Sequence, residues 1–478
     1  MRFATSDMKK IGQVGLTLAT LGTWLALPAG GRYAGAADAP AAEPGKAASA
    51  LAAENSAAAK KNLPVLTLAE ALRTARAEQP TLRQAESTRL LANAQADSAR
   101  APLLPQVIAS ASYARATANF VQPTGTLPNG VVSSAHTVTS LDTFPFYRMG
   151  ISASQLIWDF GETLNSFRAA RVNAEAQEQS VRVTEMQVDY NVRVAFFTAR
   201  AAKDMVAVAQ ATLANQQKHL AQIEGFVQLG RSPEIDLTQA RADRATARVA
   251  LINAENTYDT SRAQLNLAMG VERSLDYELS DDGLTGVEGE DADPTTLVDE
   301  AVKARPEMAN LTLLITGREL SLKSAKDGHY PQLGFNTSLT DNGNSPDQLV
   351  WNWSGALTLS VPIYLGGSIN ANVHQAEAQL IGVRAQLDGQ RQQVRLDVEQ
   401  ARLSIRAAKA LIEAADDAVA NTRDRLRLAE GRYQSGVGSI IELGDAQVAE
   451  TSAEVQRVQA EYQLYTARAQ LVKALGRT

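Results

Sequence analysis

Glu442 and Asp445 are the two residues whose type and spacing most suggest chemistry. Carboxylates three positions apart share one face of a helix. There they can attract cations, or they can simply form a solvated helix start, where acids suit the dipole. Asp236 stands at the matching position of an earlier segment. Nothing else points to catalysis. The four histidines, His136, His219, His329 and His374, are scattered with no ligand spacing, so no metal site is expected. No nucleophile elbow or phosphate loop occurs, so no cofactor is expected. The chain has no cysteine, which removes disulfides and thiol catalysis. Net charge is -6 with no basic patch, which argues against nucleic acid. The chain does not read as an enzyme.

The elements that carry these acids are unusual. Glu162 to Glu224 holds 63 residues without glycine or proline. As one helix this stretch is roughly 95 Å long, at ~1.5 Å per residue, more than a compact domain uses. From Val188 the apolar residues alternate in steps of four and three: Val188, Val192, Ala195, Ala199, Ala202, Val206, Ala209, Leu213, then Leu220, Ile223 and Val227, with Gln216 interrupting. This is a coiled-coil seam, and its alanines allow close approach of a partner backbone.

The pattern recurs 206 residues later, from Val394 through Val398, Ala401, Ile405, Ala408 and Val419 to Tyr433, with Thr422 matching the polar break at Gln216. The same offset maps Gly161, Gly230 and Gly270 onto Gly367, Gly436 and Gly476. Upstream, Pro80 maps onto Pro306 and Pro105 onto Pro331. The chain is therefore an internal duplication and not a solenoid. Repeat 1 spans 64–270: an upstream helix, a hairpin over 105–160, a long helix over 162–229 and a return helix over 234–269. Repeat 2 spans 295–478, with hairpin 331–365, long helix 368–435 and return helix 440–475. Thr67 and Glu70 open the first upstream helix as a capping box, and Pro80 breaks or kinks it. The strongly acidic stretch 271–294 between the repeats reads as a solvated connector. Residues 1–37 read as a secretory signal, with Arg2, Lys9 and Lys10 before a weakly apolar run. Residues 38–63 form an Ala-rich lead-in.

Each hairpin has a period of two. Val107, Ala109, Ala111 and Tyr113 alternate with Ser110 and Ser112. A loop at about 122–144 leads to a strand over 146–159 with Tyr147, Met149, Ile151 and Ala153 on one face. In the second copy Leu333, Phe335, Thr337 and Leu339 precede a turn at 340–347, and Trp351, Trp353, Leu357, Leu359 and Val361 alternate with polar residues. Trp351 and Trp353 lie at one end of that strand and Tyr364 beyond the other, while Trp158 closes the first hairpin. These are membrane-barrel strands with aromatic belts; the rival is a sheet laid on a soluble core. Four strands cannot close a barrel, and an open edge is forbidden in lipid. Other copies must complete it. Two copies give eight strands, whose interior fills with side chains, and three give twelve, with room for a lumen. The fold class expected is thus helical plus transmembrane β-barrel, with three copies favoured over two around a helical tunnel.

Leu66-Thr67-Leu68-Ala69-Glu70-Ala71-Leu72 followed by Pro80 resembles the opening signature of TolC-type outer-membrane efflux channels. Arg305-Pro306-Glu307 resembles its second-copy counterpart. Tyr433-Gln434-Ser435-Gly436 with Ile440 to Ala446 resembles the family's periplasmic tip. The resemblance covers about residues 64–477. It implies a homotrimer in outer-membrane lipid, a twelve-stranded barrel and a periplasmic tunnel, docked to a periplasmic adaptor and an inner-membrane pump. Without cysteine the chain resembles the unlipidated subset. The resemblance implies that Glu442 and Asp445, with Asp236 a weaker candidate, ring the narrowest part of the tunnel. It implies that the turns at Gly230, Arg231, Gly436 and Val437 contact the adaptor. Members often carry Arg where this chain has Gly438, which places their usual closing salt bridge in question. The expected function is a passive exit duct for efflux or type I secretion. The rival of another class is a secreted coiled-coil adhesin or structural fibre.

Overall fold

The computed structural model describes residues 64–117, 141, 143–272, 277–281, 283 and 286–477. The expected signal, the lead-in and most of the 122–144 loop lie outside the described residues. The chain runs β1 (Val65–Leu66), α1 (Leu68–Glu78), α2 (Pro80–Arg100), β2 (Gln106–Thr117), β3 (Thr143–Trp158), α3 (Glu162–Gln228) and α4 (Glu234–Met269). It continues with β4 (Glu278–Leu279), α5 (Pro294–Ala304), α6 (Pro306–Asp327), β5 (Gln332–Gly343), β6 (Val350–Ser360), α7 (Ser368–Gln434) and α8 (Ile440–Ala474).

The two long helices have 67 residues each and stand 206 residues apart throughout. At ~1.5 Å per residue each is about 100 Å long. Their seams are buried: Val188, Val192, Ala199 and Ala202 in α3, and Val394, Val398, Ala401, Ile405, Ala408, Ala415 and Val419 in α7. The cores repeat as well. Ala71, Ala75, Val188, Val192, Leu265 and Met269 pack together in the first copy, and Leu297, Ala301, Val394, Val398, Leu471 and Leu475 in the second. Where the second copy places Leu297 and Ile405, the first has Ala71 and Ala199. Phe196 and Phe197, both fully buried, fill that space in the first copy.

Pro80 and Pro306 break the upstream helices outright. Each becomes the first residue of a new helix, where its missing N–H costs nothing. The Thr67–Glu70 capping box forms in both directions, each bond 3.2 Å. The return helices stack end-on against these breaks. A Cβ on Gly270 would lie 2.6 Å from Gln79 Cα, and one on Gly476 would lie 3.1 Å from Arg305 Cα. Gln79 Nε2 donates to the Ala268 carbonyl at 2.8 Å, satisfying an end-of-helix acceptor across the joint. Upstream and return helices therefore form one column beside each long helix.

The acidic segment departs from the solvated connector expected of it. Glu278 and Leu279 pair in parallel with Val65 and Leu66. Tyr277 and Leu279 are buried in the first core. Glu290 accepts from Arg468 Nε at 3.1 Å and lies 2.7 Å from Lys409 Nζ. The reason is physical: the apolar positions 277 and 279 carry enough area to be drawn in, and the neighbouring carboxylates find cations on α7 and α8.

The four long strands form one antiparallel sheet in the order β2-β3-β5-β6, leaving β2 and β6 as open edges. Strand boundaries are wider than the alternation suggested. β3 begins at Thr143, and β5 runs through Asp341, Asn342 and Gly343, since Asp341 pairs with both Met149 and Trp351. The expected turn therefore starts four residues later.

Candidate functional site

The sheet's two faces differ in chemistry from edge to edge. Directly opposed residues of antiparallel neighbours point to the same side. Register sets Ala109 against Ile151, Ile151 against Leu339, and Leu339 against Trp353. One face thus carries Val107, Ile151, Leu339, Trp353, Leu357 and Leu359. All are exposed to the surroundings in the single chain. The other face carries Ser152, Ser338 and Ser354 along the row one step over, which ends on Ile108 at β2, and Ser110, Thr340 and Asn352 along the next row on that face. Polar groups there bond laterally, as in the 2.9 Å contact between the Ser338 and Ser354 hydroxyls. A large exposed apolar face backed by a polar one is the pattern of a barrel wall in lipid. Among the described residues no helix is long and apolar enough to cross a membrane.

Aromatics bound the apolar face. Trp351 and Trp353 sit near the β5–β6 turn, with the Trp353 indole N–H donating to Thr337 Oγ1 at 3.0 Å. At the helical end Trp158 lies against Phe160, which stacks on Tyr330 at 5.3 Å, and Tyr364 is exposed beyond β6. Trp158 pairs with Leu333, and Leu333 with Leu359. Eight strand steps from Leu359 to Trp351 span ~27 Å, or about 20 Å of height at the tilt typical of such strands. Phe160 and Tyr330 extend this aromatic cluster and were not singled out from the sequence; each follows or precedes a break in the alternation, which hides it from a period-two pattern. Below the belt, the Asp159 carboxylate accepts from the N–H groups of Gly161 and Thr163 and so starts α3.

At the far end of the long helices the two copies build the same turn. Gly230 has φ +69 and Gly436 φ +76. In each, the glycine N–H donates to the carbonyl three residues back, Gly230 to Val227 and Gly436 to Tyr433, and the next residue's N–H reaches further: Arg231 to Phe226 and Val437 to Arg432. This is the Schellman closure, and the left-handed backbone is why glycine stands there. A Cβ at either position would meet nothing within 4 Å. Arg231 and Val437 are exposed beside them.

Glu442 and Asp445 lie in the first turns of α8, where Ser439 Oγ accepts from the Glu442 N–H at 3.1 Å. Arg432 Nε lies 3.4 Å from Glu442 Oε1. Where the resemblance expects a basic residue at 438, the charge beside Glu442 comes from Arg432 of the same chain. Position 438 itself has no room: a Cβ there would lie 2.9 Å from Tyr433 N. Asp445 is exposed and has no hydrogen-bonded or ionic partner among the described residues. Asp236 holds the equivalent place in the first turn of α4. The two tips meet through Ile223, Leu237, Tyr433 and Ile440. His219 is buried there with its ring 5.7 Å from that of Tyr433, and burial pushes its pKa below the usual value. Its placement follows from the seam, one position before Leu220, and not from any ligand spacing.

Two buried ionic knots also escaped the sequence reading. Glu290 is one; burial opposes its charge, but Arg468, Lys409 and the Val287 N–H overcome this and hold its pKa down at about 2. Arg305 is the other. Its side chain is 4% exposed, with NH1 2.8 Å from Asp397 and NH2 3.3 Å from Glu307. Among the described residues no cluster could hold a metal ion.

With this geometry in place, the chain can be set beside known proteins. It matches the family model described as outer membrane efflux protein over residues 71–271 and 297–477. It is 24% identical over 427 residues to the outer membrane protein TolC of Escherichia coli, covering 86% of this chain and 82% of that protein. It is 23% identical over 339 residues to the solvent efflux pump outer membrane protein SrpC of Pseudomonas putida, covering 69% and 71%. The crystal structure of the outer membrane protein VceC from Vibrio cholerae superposes with a TM-score of 0.73 at 17% identity, covering 86% of this chain and 96% of that one.

Proposed function

The chain belongs to the outer membrane efflux protein family, and from that premise we propose that three copies close one twelve-stranded barrel above a helical tunnel. It works in the outer membrane as an exit duct for efflux. It supplies a path, and a separate inner-membrane pump supplies the energy. The observation that carries this reading is the sheet: four strands, one apolar and one polar face, and two unpaired edges. In lipid those edges must be paired. β6 of one copy beside β2 of the next continues the antiparallel order. Three copies leave a water-filled interior, whereas two would fill it. The helices beneath the seam support the same closure. α7 follows β6 and exposes Ile381, while α2 precedes β2 and exposes Leu90 and Leu91 at a similar depth below the sheet.

At the tip, Glu442 and Asp445, with Asp236 from the first copy, ring the constriction and favour cations. The turns at Gly230–Arg231 and Gly436–Val437 dock the periplasmic adaptor. The division into two repeats joined at 271–294 places both tips at one level. A secreted adhesin is not favoured, because the family is one of outer-membrane efflux proteins. The test is the molar mass of the purified protein in detergent by light scattering, corrected for bound detergent. Three copies are expected, and a stable monomer refutes the shared barrel.

A further inference from the structure

The polar face of the sheet is nearly free of charge. Among the described residues of the four strands it carries hydroxyls and amides, such as Ser112, Ser154, Asn336 and Asn352, and a single ionised side chain, Arg148. Arg115 and Asp341 are the other charged strand residues, but register places both on the opposite face, against Pro145 and Trp351. Arg148 Nε donates to Asn342 Oδ1 at 3.2 Å, and its guanidinium lies 5.5 Å from the centroid of the Phe146 ring. Both partners are neutral and fix the side chain without cancelling its charge. Among the described residues no carboxylate pairs with it. Asn342 faces Val350, one step from Trp351, so Arg148 stands level with the aromatics near the β5–β6 turn. It is ten residues along β3 from Trp158, at the end away from the helices.

We propose that Arg148 is the charge-selecting residue of the duct's outer mouth, three copies forming a cationic collar that favours anions and excludes cations approaching from outside. This rests on the reading that the polar face lines a barrel of three copies. Twelve strands ~4.8 Å apart at a typical tilt give a backbone radius of about 12 Å. An arginine extends about half that distance inward, so its charge lies ~6 Å from the axis. Three charges at that distance, in water with a Debye length of about 8 Å, enrich a monovalent anion on the axis about five-fold and deplete a monovalent cation by the same factor. The collar is opposite in sign to the carboxylates at the tip. The duct therefore carries cation-favouring acids at its periplasmic end and a cation-repelling ring at its exit, a polarity that resists cation leak inward while export is driven from below.

The test is reversal potential in planar bilayers under a KCl gradient, for the parent, Arg148→Lys, Arg148→Gln and Arg148→Glu. The lysine variant keeps the parent's ratio of K⁺ to Cl⁻ permeability. The glutamine variant raises it at least about two-fold, since the tip acids act in series, and the glutamate variant raises it further. Should these variants assemble poorly, Arg148→Cys in a chain with no other cysteine allows modification in the assembled pore. An aminoethyl thiol reagent then restores the parent's ratio, and a sulfonatoethyl reagent drives it toward cations. A conducting parent whose ratio is unmoved by every one of these changes overturns the collar alone. A parent that conducts nothing overturns the barrel reading and the collar with it.

Discussion

Glu290 offers the sharpest energetic prediction. Its carboxylate sits between Arg468 and Lys409, with the Val287 N–H donating to it at 3.1 Å, and its side chain is 10% exposed. Its pKa in the folded chain is about 2 against an ordinary value of 4.5. That difference corresponds to about 3 kcal/mol of stability at neutral pH, at ~1.4 kcal/mol per unit. Replacing Glu290 by Gln removes this charge from between Arg468 and Lys409, while Lys409 keeps Asp291 at 3.1 Å. A loss of about 2–3 kcal/mol follows. The pH dependence identifies the cause. A depressed carboxyl pKa stabilises fully above 4.5 and is lost as pH falls from 4.5 toward 2. Denaturant unfolding of the parent and Glu290→Gln in detergent should therefore show a gap that is constant from pH 7 to about 5 and closes below 4.5. A gap that stays the same at pH 3 as at pH 7 refutes the argument, because the loss would then come from packing and not from charge.

Other perturbations separate the remaining parts. Glu442→Ala with Asp445→Ala should raise single-channel conductance or lower cation selectivity; a channel unchanged in both removes these acids from the constriction. Gly436→Leu places a side chain on a left-handed backbone in open space, at a cost of ~1–2 kcal/mol, so assembly should survive while export fails. Normal export would end the docking proposal. Arg305→Ala leaves a cavity and takes the guanidinium from the partly buried Asp397 and Glu307, and should cost about 2–3 kcal/mol in unfolding experiments, whereas a loss under about 1 kcal/mol would mean that solvent satisfies both carboxylates.

The sequence made the frame readable because its signals are long and repeated. About forty residues of seam in each of two copies leave little ambiguity about α3 and α7, and the glycines at 161, 230 and 270 with their counterparts mark where helices start or stop. The alternation of Trp353, Leu357 and Leu359 likewise declares one face of β6. Side chains that join separate segments left no such trace. Tyr277 and Leu279 lie among acids, so their burial depends on a distant strand, Val65–Leu66, that local composition does not reveal. Arg305 stood out as a motif residue, but its carboxylate at Asp397 is 92 positions away. At the tip, Glu442 was legible from its spacing, while its partner Arg432 was not, since the two meet only across the turn at Gly436.

The central claim is that the polar face of this sheet lines water and the apolar face meets lipid. Single cysteines placed in turn at Asn352, Trp353, Ser354, Leu357, Thr358, Leu359 and Ser360 of an otherwise cysteine-free chain, then exposed to a water-soluble thiol reagent in intact outer membranes, test it most directly. Labelling is predicted at 352, 354, 358 and 360 and absent at 353, 357 and 359. Equal labelling at neighbouring positions would contradict it.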